Sequence, residues 1–485
     1  MLALALMLTA CQPPDKDDVT DDTDDTDSAE TLDCEVVIVG GGAGGLHTAM
    51  RLAPSLGDGV CLFEKEAAFG GRIKDEPLDP ADPASPRIGT GARRVMEGQQ
   101  LVFDLATELG ITLETPPDAA DLINARGAFA FAKDDLLSEY PTLDPHEDEE
   151  TWLYDQLRFG PARADAASAA SFEAYGTAAV GAEGWAFLHD MSRFRADFSA
   201  PLDAAGYLDY LDEEWDVCCA PSYPVGGMSR FIVGMAAAAE ADGARLFLSE
   251  PVTAIRRDDA GGYTIETSAH TAHAAKVVIA APPSALDHIE GDVVDDIQAQ
   301  QAYQDIVGVK VVTISQWWPT SWWLDVRRPD DTPIWRAWTT EHCLNFIEIP
   351  IEPYAAAQHV TRSVYNDDLD CSEFWEDLAA DGIEAVEAEV REGLEHLFVG
   401  NGLTTDVVIP DPIKTTVQIW PAAWHWLGAG ASVTNAELMA WAADPLDGEE
   451  VGLVGEAYNV QRSGWSDGAY KSSWHLLETR YGMSR

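Results

Sequence analysis

Positive charge is what this 485-residue chain has least of: 30 Lys and Arg stand against 84 Asp and Glu, for a formal net charge of −54. So acidic a surface repels phosphate backbones and anionic headgroups, which argues against nucleic acid and against direct docking on a membrane. It would steer cationic ligands inward, although solubility in a salty habitat explains the same charge and weighs more. Cysteine is also sparse. None of the seven is spaced Cys-x-x-Cys, so the usual zinc and dithiol patterns are absent and no metal site is expected. No transmembrane span is found. Met1 to Ala10 is nearly all apolar but too short to cross a bilayer as a helix. There is no internal repeat, and the length suffices for two domains around a cavity.

Leu8-Thr9-Ala10-Cys11 resembles a bacterial lipobox without the usual basic n-region. Residues 1–11 thus read as a lipoprotein-type signal, and the mature protein as exported and held to a membrane only through lipid on Cys11. Residues 12–33 carry nine Asp and one Glu against one Lys. That composition predicts a disordered, self-repelling tether. Cys34, Cys61, Cys218, Cys219, Cys343 and Cys371 remain. Export permits disulfides, but pairing cannot be read from sequence. Cys34 and Cys61 read as small core residues of neighbouring strands. The adjacent Cys218 and Cys219 read as pairing elsewhere or staying free.

What the chain does have is Val36-Val37-Ile38-Val39 running into Gly40-Gly41-Gly42-Ala43-Gly44-Gly45 and then a helix-forming stretch. This is strand, Gly-x-Gly-x-x-Gly, helix. Gly40 allows the tight turn, Gly42 lets backbone approach a pyrophosphate, and Gly45 lets the helix pack close. The helix N-terminus offers N–H groups and a positive dipole end to phosphates. A second apolar run ends in Glu64, where a carboxylate can accept both ribose hydroxyls. Phe69-Gly70-Gly71-Arg72 then turns a cation back towards the phosphates.

Alternating strands and helices read as an α/β fold, with a helical insertion between roughly 150 and 215, rich in Ala, aromatics and acids, and a mixed region from about 300 to 405. Helices are expected over 99–109 and over Ser229 to Ala241.

These motifs, in this order over nearly all of residues 34 to 478, resemble the flavin-containing amine oxidase family, which includes monoamine, polyamine and L-amino-acid oxidases. They are VVIVGGGAGG, Glu64, Gly70-Gly71-Arg72, Tyr223-Pro224-x-Gly226-Gly227-Met228, Val252 within PVTAI, Ala281-Pro282-Pro283, Lys310 within GVKVV, Gly455-Glu456 and Gly464-Trp465. The resemblance implies a discontinuous dinucleotide-binding, Rossmann-like domain from 34–95, 223–300 and 405–480, and a substrate domain that combines a helical insertion at 96–222 with a mixed sheet at 301–404. It also implies FAD held by Gly40, Gly42, Ala43, Gly44, Gly45, Glu64, Gly71, Arg72, Gly91, Ala92, Arg93, Val252, Gly455, Glu456 and Trp465. No cysteine follows Cys371, so non-covalent FAD is expected. Lys310 matches a lysine that reaches flavin N5 through water and helps oxygen take electrons. Gly91-Ala92-Arg93-Arg94 looks like the Gly-(Ala/Pro)-Met-Arg motif of L-amino-acid oxidases, whose last arginine forks the substrate carboxylate. Arg93 stands where that motif has Met, so which arginine faces the substrate stays open. Gly464 and Trp465 match the substrate-facing pair over the flavin, and Trp424 and His425 lie where the family places the opposite wall.

The expected function is therefore FAD-dependent oxidative deamination of L-amino acids to 2-oxo acids, with release of ammonia and hydrogen peroxide. Lys310, Arg94 and Trp465 would form the catalytic set, and oxygen would be the acceptor. A monoamine or polyamine oxidase is the alternative, with an acid such as Glu348 receiving the cation. An FAD-binding accessory protein without turnover ranks third. A homodimer stays open.

Overall fold

Two seven-stranded sheets carry the architecture among the described residues, and each owes its place to a pattern of apolar residues. The computed structural model describes residues 30–485 except 83, 218, 219, 260, 351–356 and 405. The lipobox, Cys11, residues 12–29 of the acidic tether, Cys218 and Cys219 lie outside the described residues.

The first sheet is built on β1 (Glu30–Val39) and β2 (Val60–Phe63). Its order is β5-β2-β1-β8-β7-β6, where β5 is Arg245–Phe247, β6 Val252–Arg257, β7 Tyr263–Thr267 and β8 His270–Ile279. β14 (Val451–Leu453) pairs with β8. The core pairings β5–β2–β1–β8–β14 are parallel. Parallel strands are covered on both faces, which is why Val36 to Val39 is an unbroken β-branched run rather than an alternation. Val36 and Ile38 face one packed layer, Val37 and Val39 the other. The strand begins at Glu30, four residues before the expected domain start at 34, because Glu30 to Asp33 pair in register with His270 to His273. After the glycine loop comes α1 (Ala43–Leu56), packed against the helices Ser229–Ala241 and α6 (Ser466–Tyr481).

The second sheet has the order β13-β9-β12-β11-β10-β3-β4. Its strands are β3 (Ala120–Ala125), β4 (Ala128–Ala130), β9 (Ile306–Trp317), β10 (Ile334–Thr339), β11 (Asn345–Glu348), β12 (Val360–Asn366) and β13 (Lys414–Leu427). Thus 120–130, placed by sequence in the helical insertion, and 414–427, placed in the first domain, supply strands to the substrate sheet. β13 runs antiparallel beside β9 along nearly its whole length, a partner distant in sequence that periodicity cannot name. One face packs on α2 (Phe172–Met191) and α3 (Ala204–Val217) of the insertion, the other on α4 (Leu369–Asp381) and α5 (Ile383–Phe398).

Cys34 and Cys61 do sit in neighbouring strands, but as a disulfide across β1 and β2 rather than as two free core residues. A second bridge, Cys343–Cys371, ties the turn before β11 to the start of α4. Loops of 27 and 28 residues closed in this way are each stabilised by about 2–4 kcal/mol.

Candidate active site

The glycine loop is held by its own backbone. Gly40 has φ +105°, and its N–H donates to the Phe63 carbonyl at 2.8 Å. A Cβ on Gly45 would lie 2.0 Å from the Gly40 carbonyl oxygen, so only glycine lets α1 pack this close. Gly42 is different: nothing lies within 4 Å of the Cβ it lacks. It stands at the start of α1, which no side chain caps. Ala43 opens the helix, and Gly44 backs onto the Gly455 N–H. The Gly70 N–H donates to the Gly41 carbonyl, and Gly71 turns with φ +54°. Glu64, buried at the tip of β2, accepts from the Gly41 N–H at 2.7 Å and the Glu66 N–H at 2.9 Å. Val252 opens β6 on the face that carries Val39 and Phe63. An uncapped helix N-terminus, an open position at Gly42 and a carboxylate at the next strand tip fit the pyrophosphate and ribose of a dinucleotide.

Behind this loop a buried carboxylate binds the pieces together. Glu456 accepts from the N–H groups of His425 and Gly464, both at 3.0 Å, and from the Ser463 hydroxyl at 3.3 Å. Arg72 donates to it at 2.5 Å and to the Ala423 carbonyl at 2.7 Å. Burial opposes the charge, but Arg72, His425 and the Gly464 N–H hold the Glu456 carboxyl down at about 2. Arg72 is therefore engaged with Glu456 rather than reaching out alone for phosphate. His425 is 1% exposed, and its Nδ1 lies 3.0 Å from Glu456 Oε2. Its pKa is lowered, by burial first and with Arg72 in the same direction, so the ring is neutral. It secures Glu456 rather than presenting itself as a pocket wall.

Trp424, its neighbour on β13, is buried against Gly464. A Cβ on Gly464 would lie 2.9 Å from its ring, so Gly464, with φ +73°, fits flat on the indole. Gly91, Ala92, Arg93 and Arg94 follow the turn made by Arg72, whose carbonyl accepts from the Ala92 N–H at 3.1 Å. Both arginines point at one acid. Arg94 reaches Glu348 Oε1 at 2.9 Å, Arg93 reaches Oε2 at 3.4 Å and Arg362 of β12 reaches Oε2 at 3.0 Å. Arg362 also donates to the carbonyls of Gly89 and Gly91, which fixes the motif to the sheet. Burial works against the Glu348 charge, but Arg93, Arg362 and Arg94 hold its carboxyl at about 2. The two motif arginines then part: Arg93 lies over the Tyr223 ring at 5.5 Å, Arg94 over the Trp465 ring at 5.7 Å. Of the pair, Arg94 stands with the aromatic residue expected to face the substrate.

The family model described as flavin containing amine oxidoreductase matches residues 43–474. The chain belongs to this family. As a flavin amine oxidoreductase it is an FAD-dependent enzyme. Among curated proteins, none matches. Solved structures similar to the chain include a putrescine oxidase bound to putrescine, with 18% identity, TM-score 0.63, and 93% of this chain and 100% of that one covered. Another is the cyclohexylamine oxidase from Brevibacterium oxydans IH-35A, with 19% identity, TM-score 0.67, and 92% and 99% covered. These likenesses share the amine oxidase fold.

Within this amine oxidoreductase Lys310 stands apart from the other motif residues. Val309 and Val311 point to the face of β9 that meets the insertion. Lys310 points the other way and pairs with Glu376 of α4 at 2.7 Å. Its flanks do make a buried strand, as expected, but its ammonium is paired, not isolated. The structure therefore does not bring Lys310 to Arg94 and Trp465, which corrects its place in the expected catalytic set.

Sequence reading missed Glu214 on α3. One of its oxygens is sealed without a hydrogen-bond partner. Burial pushes its carboxyl up to about 7, against the pull of Arg462, Arg94 and the Trp465 indole. It lies in Leu211-Asp212-Glu213-Glu214-Trp215, where three successive acids give no hint which one turns inward.

Proposed function

We propose that this flavin amine oxidoreductase oxidatively deaminates L-amino acids. An L-amino acid, oxygen and water give a 2-oxo acid, ammonia and hydrogen peroxide. When bound, FAD would supply the two-electron acceptor for the substrate C–H bond, with oxygen as the final oxidant. The chain's own part is to grip and orient. Arg94, held over Trp465, offers its guanidinium to the α-carboxylate. Trp465, Trp424 and Gly464 set the plane in which the α-carbon lies, and positioning of this kind supplies much of the rate. The ammonium must lose a proton before oxidation, and Glu214, beside Trp465 with its carboxyl near 7, suits that task.

One observation carries the choice of amino acid over amine: Glu348, the acid that an amine reading needs, is already shared by three arginines. A pocket so arranged attracts an anion and repels a diamine. FAD without a covalent link accords with Cys371, the last cysteine, being tied in a disulfide. The two disulfides support export into an oxidising compartment, with the lipid tether as the means of retention.

The test is peroxide release from L-amino acids and amines. Arg94→Ala should lower kcat/KM for L-amino acids by on the order of 2–5 kcal/mol, because it removes one partner of a buried charge pair. It should not lower, and should tend to raise, the turnover of amines that lack a carboxylate, since one repelling cation is gone. Undiminished oxidation of amino acids by Arg94→Ala would refute the carboxylate assignment.

A further inference from the structure

The turn between β10 and β11 is held against its own backbone preference. Within Glu341 to Asn345, three residues that carry side chains are left-handed: His342 has φ +55°, Cys343 +48° and Asn345 +53°. Such conformations are costly outside glycine and persist only where neighbours enforce them. Here a covalent bridge and several hydrogen bonds do so. Cys343 is bonded to Cys371 of α4. Its carbonyl accepts from the Asn366 amide and from the Trp375 indole, both at 2.7 Å. Asn345 is fully buried, and its amide donates to the Arg193 carbonyl at 3.1 Å and to Asp367 at 3.4 Å.

The strand that follows carries the acid of the substrate end. β11 is only four residues long, from Asn345 to Glu348. Glu348 therefore stands about 10 Å along the strand from the last left-handed residue. β11 pairs with β10 in unbroken register. Against β12 its register shifts twice, between Asn345 and Phe346 and again between Phe346 and Glu348. A strand this short, and irregularly paired on one side, owes much of its placement to how its first residue is fixed. Glu348 in turn meets Arg94 at 2.9 Å and Arg362 at 3.0 Å. A continuous run of contacts thus leads from the bridge, through the turn and β11, to the guanidinium over Trp465. The bridge is also within reach of solvent. Cys343 and Cys371 are half-buried, whereas Cys34 and Cys61 of the other bridge are buried.

We propose that Cys343, Cys371 and Asn345 are positioning residues for the substrate carboxylate. The bridged turn fixes β11, β11 fixes Glu348, and Glu348 holds Arg94 where the carboxylate binds. Opening the bridge lets the left-handed residues relax, shifts β11 and weakens substrate binding while the flavin stays bound. The proposal rests on the amino-acid reading above and adds a redox-sensitive control to it. The opening step needs a dithiol as reductant. One thiolate attacks a sulfur of the bridge and forms a mixed disulfide, which the second thiol then resolves. Cys343 and Cys371 end as two thiols and the reductant as a disulfide, with two electrons and two protons transferred.

The experiment uses the flavin-loaded full chain before and after brief treatment with dithiothreitol, with the freed thiols counted. A peroxide-release panel of L-amino acids and putrescine first finds the best amino acid. Opening the bridge should raise KM for that amino acid at least about tenfold, since a group misplaced by about 1 Å can cost about 100-fold. Its kcat, and KM for putrescine, which has no carboxylate, should each change by less than about threefold. General loss of structure would not produce that split. Amide hydrogen exchange should quicken across 345–348 and stay slow across 36–39, and reoxidation with oxidised glutathione should reverse both effects. Cys371→Ser should match the reduced protein without reductant. Asn345→Gly, which suits a left-handed backbone but has no amide to anchor it, should raise KM about fivefold. If the bridge is open and neither KM nor exchange moves, the turn does not place Arg94 and the proposal falls, with the amino-acid reading intact. If KM for the amino acid and for putrescine rise together, the bridge is a general brace and the positioning role is overturned. If putrescine leads the panel before any bridge is opened, the amino-acid reading fails and takes this proposal with it.

Discussion

Glu456 and Glu348 are two buried carboxylates in one molecule, each held at about 2 against the cost of burial, yet by opposite means. Glu456 is satisfied mainly by scaffold: two backbone N–H groups, a serine hydroxyl, a neutral histidine and one arginine. Its one negative charge meets one positive charge, so the nucleotide end is electrically closed. Glu348 is held by three guanidiniums from separate strands and loops. Its charge is answered by side-chain cations rather than by backbone donors. A carboxylate held by scaffold behaves as structure, whereas one held by side-chain cations depends on each of them keeping its place.

Removing each carboxylate in turn is the severest way to break this comparison. Glu348→Gln leaves three guanidiniums facing a neutral amide, and stripping one partner from a buried ion cluster typically costs about 3–5 kcal/mol. Glu456→Gln keeps an oxygen for the two backbone donors and forfeits chiefly Arg72, so a loss of about 1–3 kcal/mol is expected. Denaturant midpoints of the flavin-loaded proteins decide it. An equal or larger loss in Glu456→Gln would mean that the nucleotide end is no better matched than the other. Added carboxylate should shrink the Glu348→Gln deficit, since an anion taken up by the guanidiniums that Glu348 held stabilises the folded protein by mass action; no response to carboxylate in either protein would remove the contrast.

Two glycines in one loop sharpen the view of the nucleotide end. Gly45→Ala forces a methyl group to within 2.0 Å of the Gly40 carbonyl, so it should unfold the loop and lower the melting temperature with or without flavin. Gly42→Ala meets no protein atom within 4 Å. It should fold normally and lose FAD affinity on the order of tenfold or more, as the methyl group stands where backbone approaches pyrophosphate. Apo-protein melting and FAD titration separate the two. A Gly42→Ala protein that binds FAD as tightly as wild type would show that the pyrophosphate lies elsewhere.

Much of the nucleotide end was legible in the sequence because its chemistry is local. Val36 to Gly45 specify strand, turn and helix within ten residues, and Glu64 follows at the next strand tip. The substrate end was legible only in part. Gly91 to Arg94 announced a cation, but what it pairs with depends on Glu348, more than 250 residues later, and on Arg362 beside it. Glu348 was considered as a receiver of cations; three partners gathered from separate strands and loops reverse that meaning. Lys310 misled for a related reason. Its valine flanks identify a strand, but which face the lysine takes is set by register with β13 and by Glu376 on α4, neither of which local pattern encodes. Glu214 carries no motif at all. Its significance is the company that folding gives it.

The smallest expected effect concerns pH, and it sets the two ends of the molecule against α3. For Glu348 and Glu456 the folded-state pKa lies below the unfolded one, so their stabilisation is present above about pH 4.5 and disappears as pH falls towards 2. Glu214 has the opposite sign. Its carboxyl is raised to about 7, so the folded protein binds a proton that the unfolded chain releases, and stability falls as pH rises from about 4.5 through 7. With a shift of that size the loss at pH 8 is on the order of 1–3 kcal/mol. Glu214→Gln should therefore be more stable than wild type at pH 8 and nearly equal to it at pH 5. The same variant should lose the rise of kcat/KM for amino acids between pH 6 and 8 that wild type shows if Glu214 takes the ammonium proton. A variant that gains stability but keeps the kinetic rise would leave Glu214 as a buried acid with no part in the reaction, and would move proton removal to solvent.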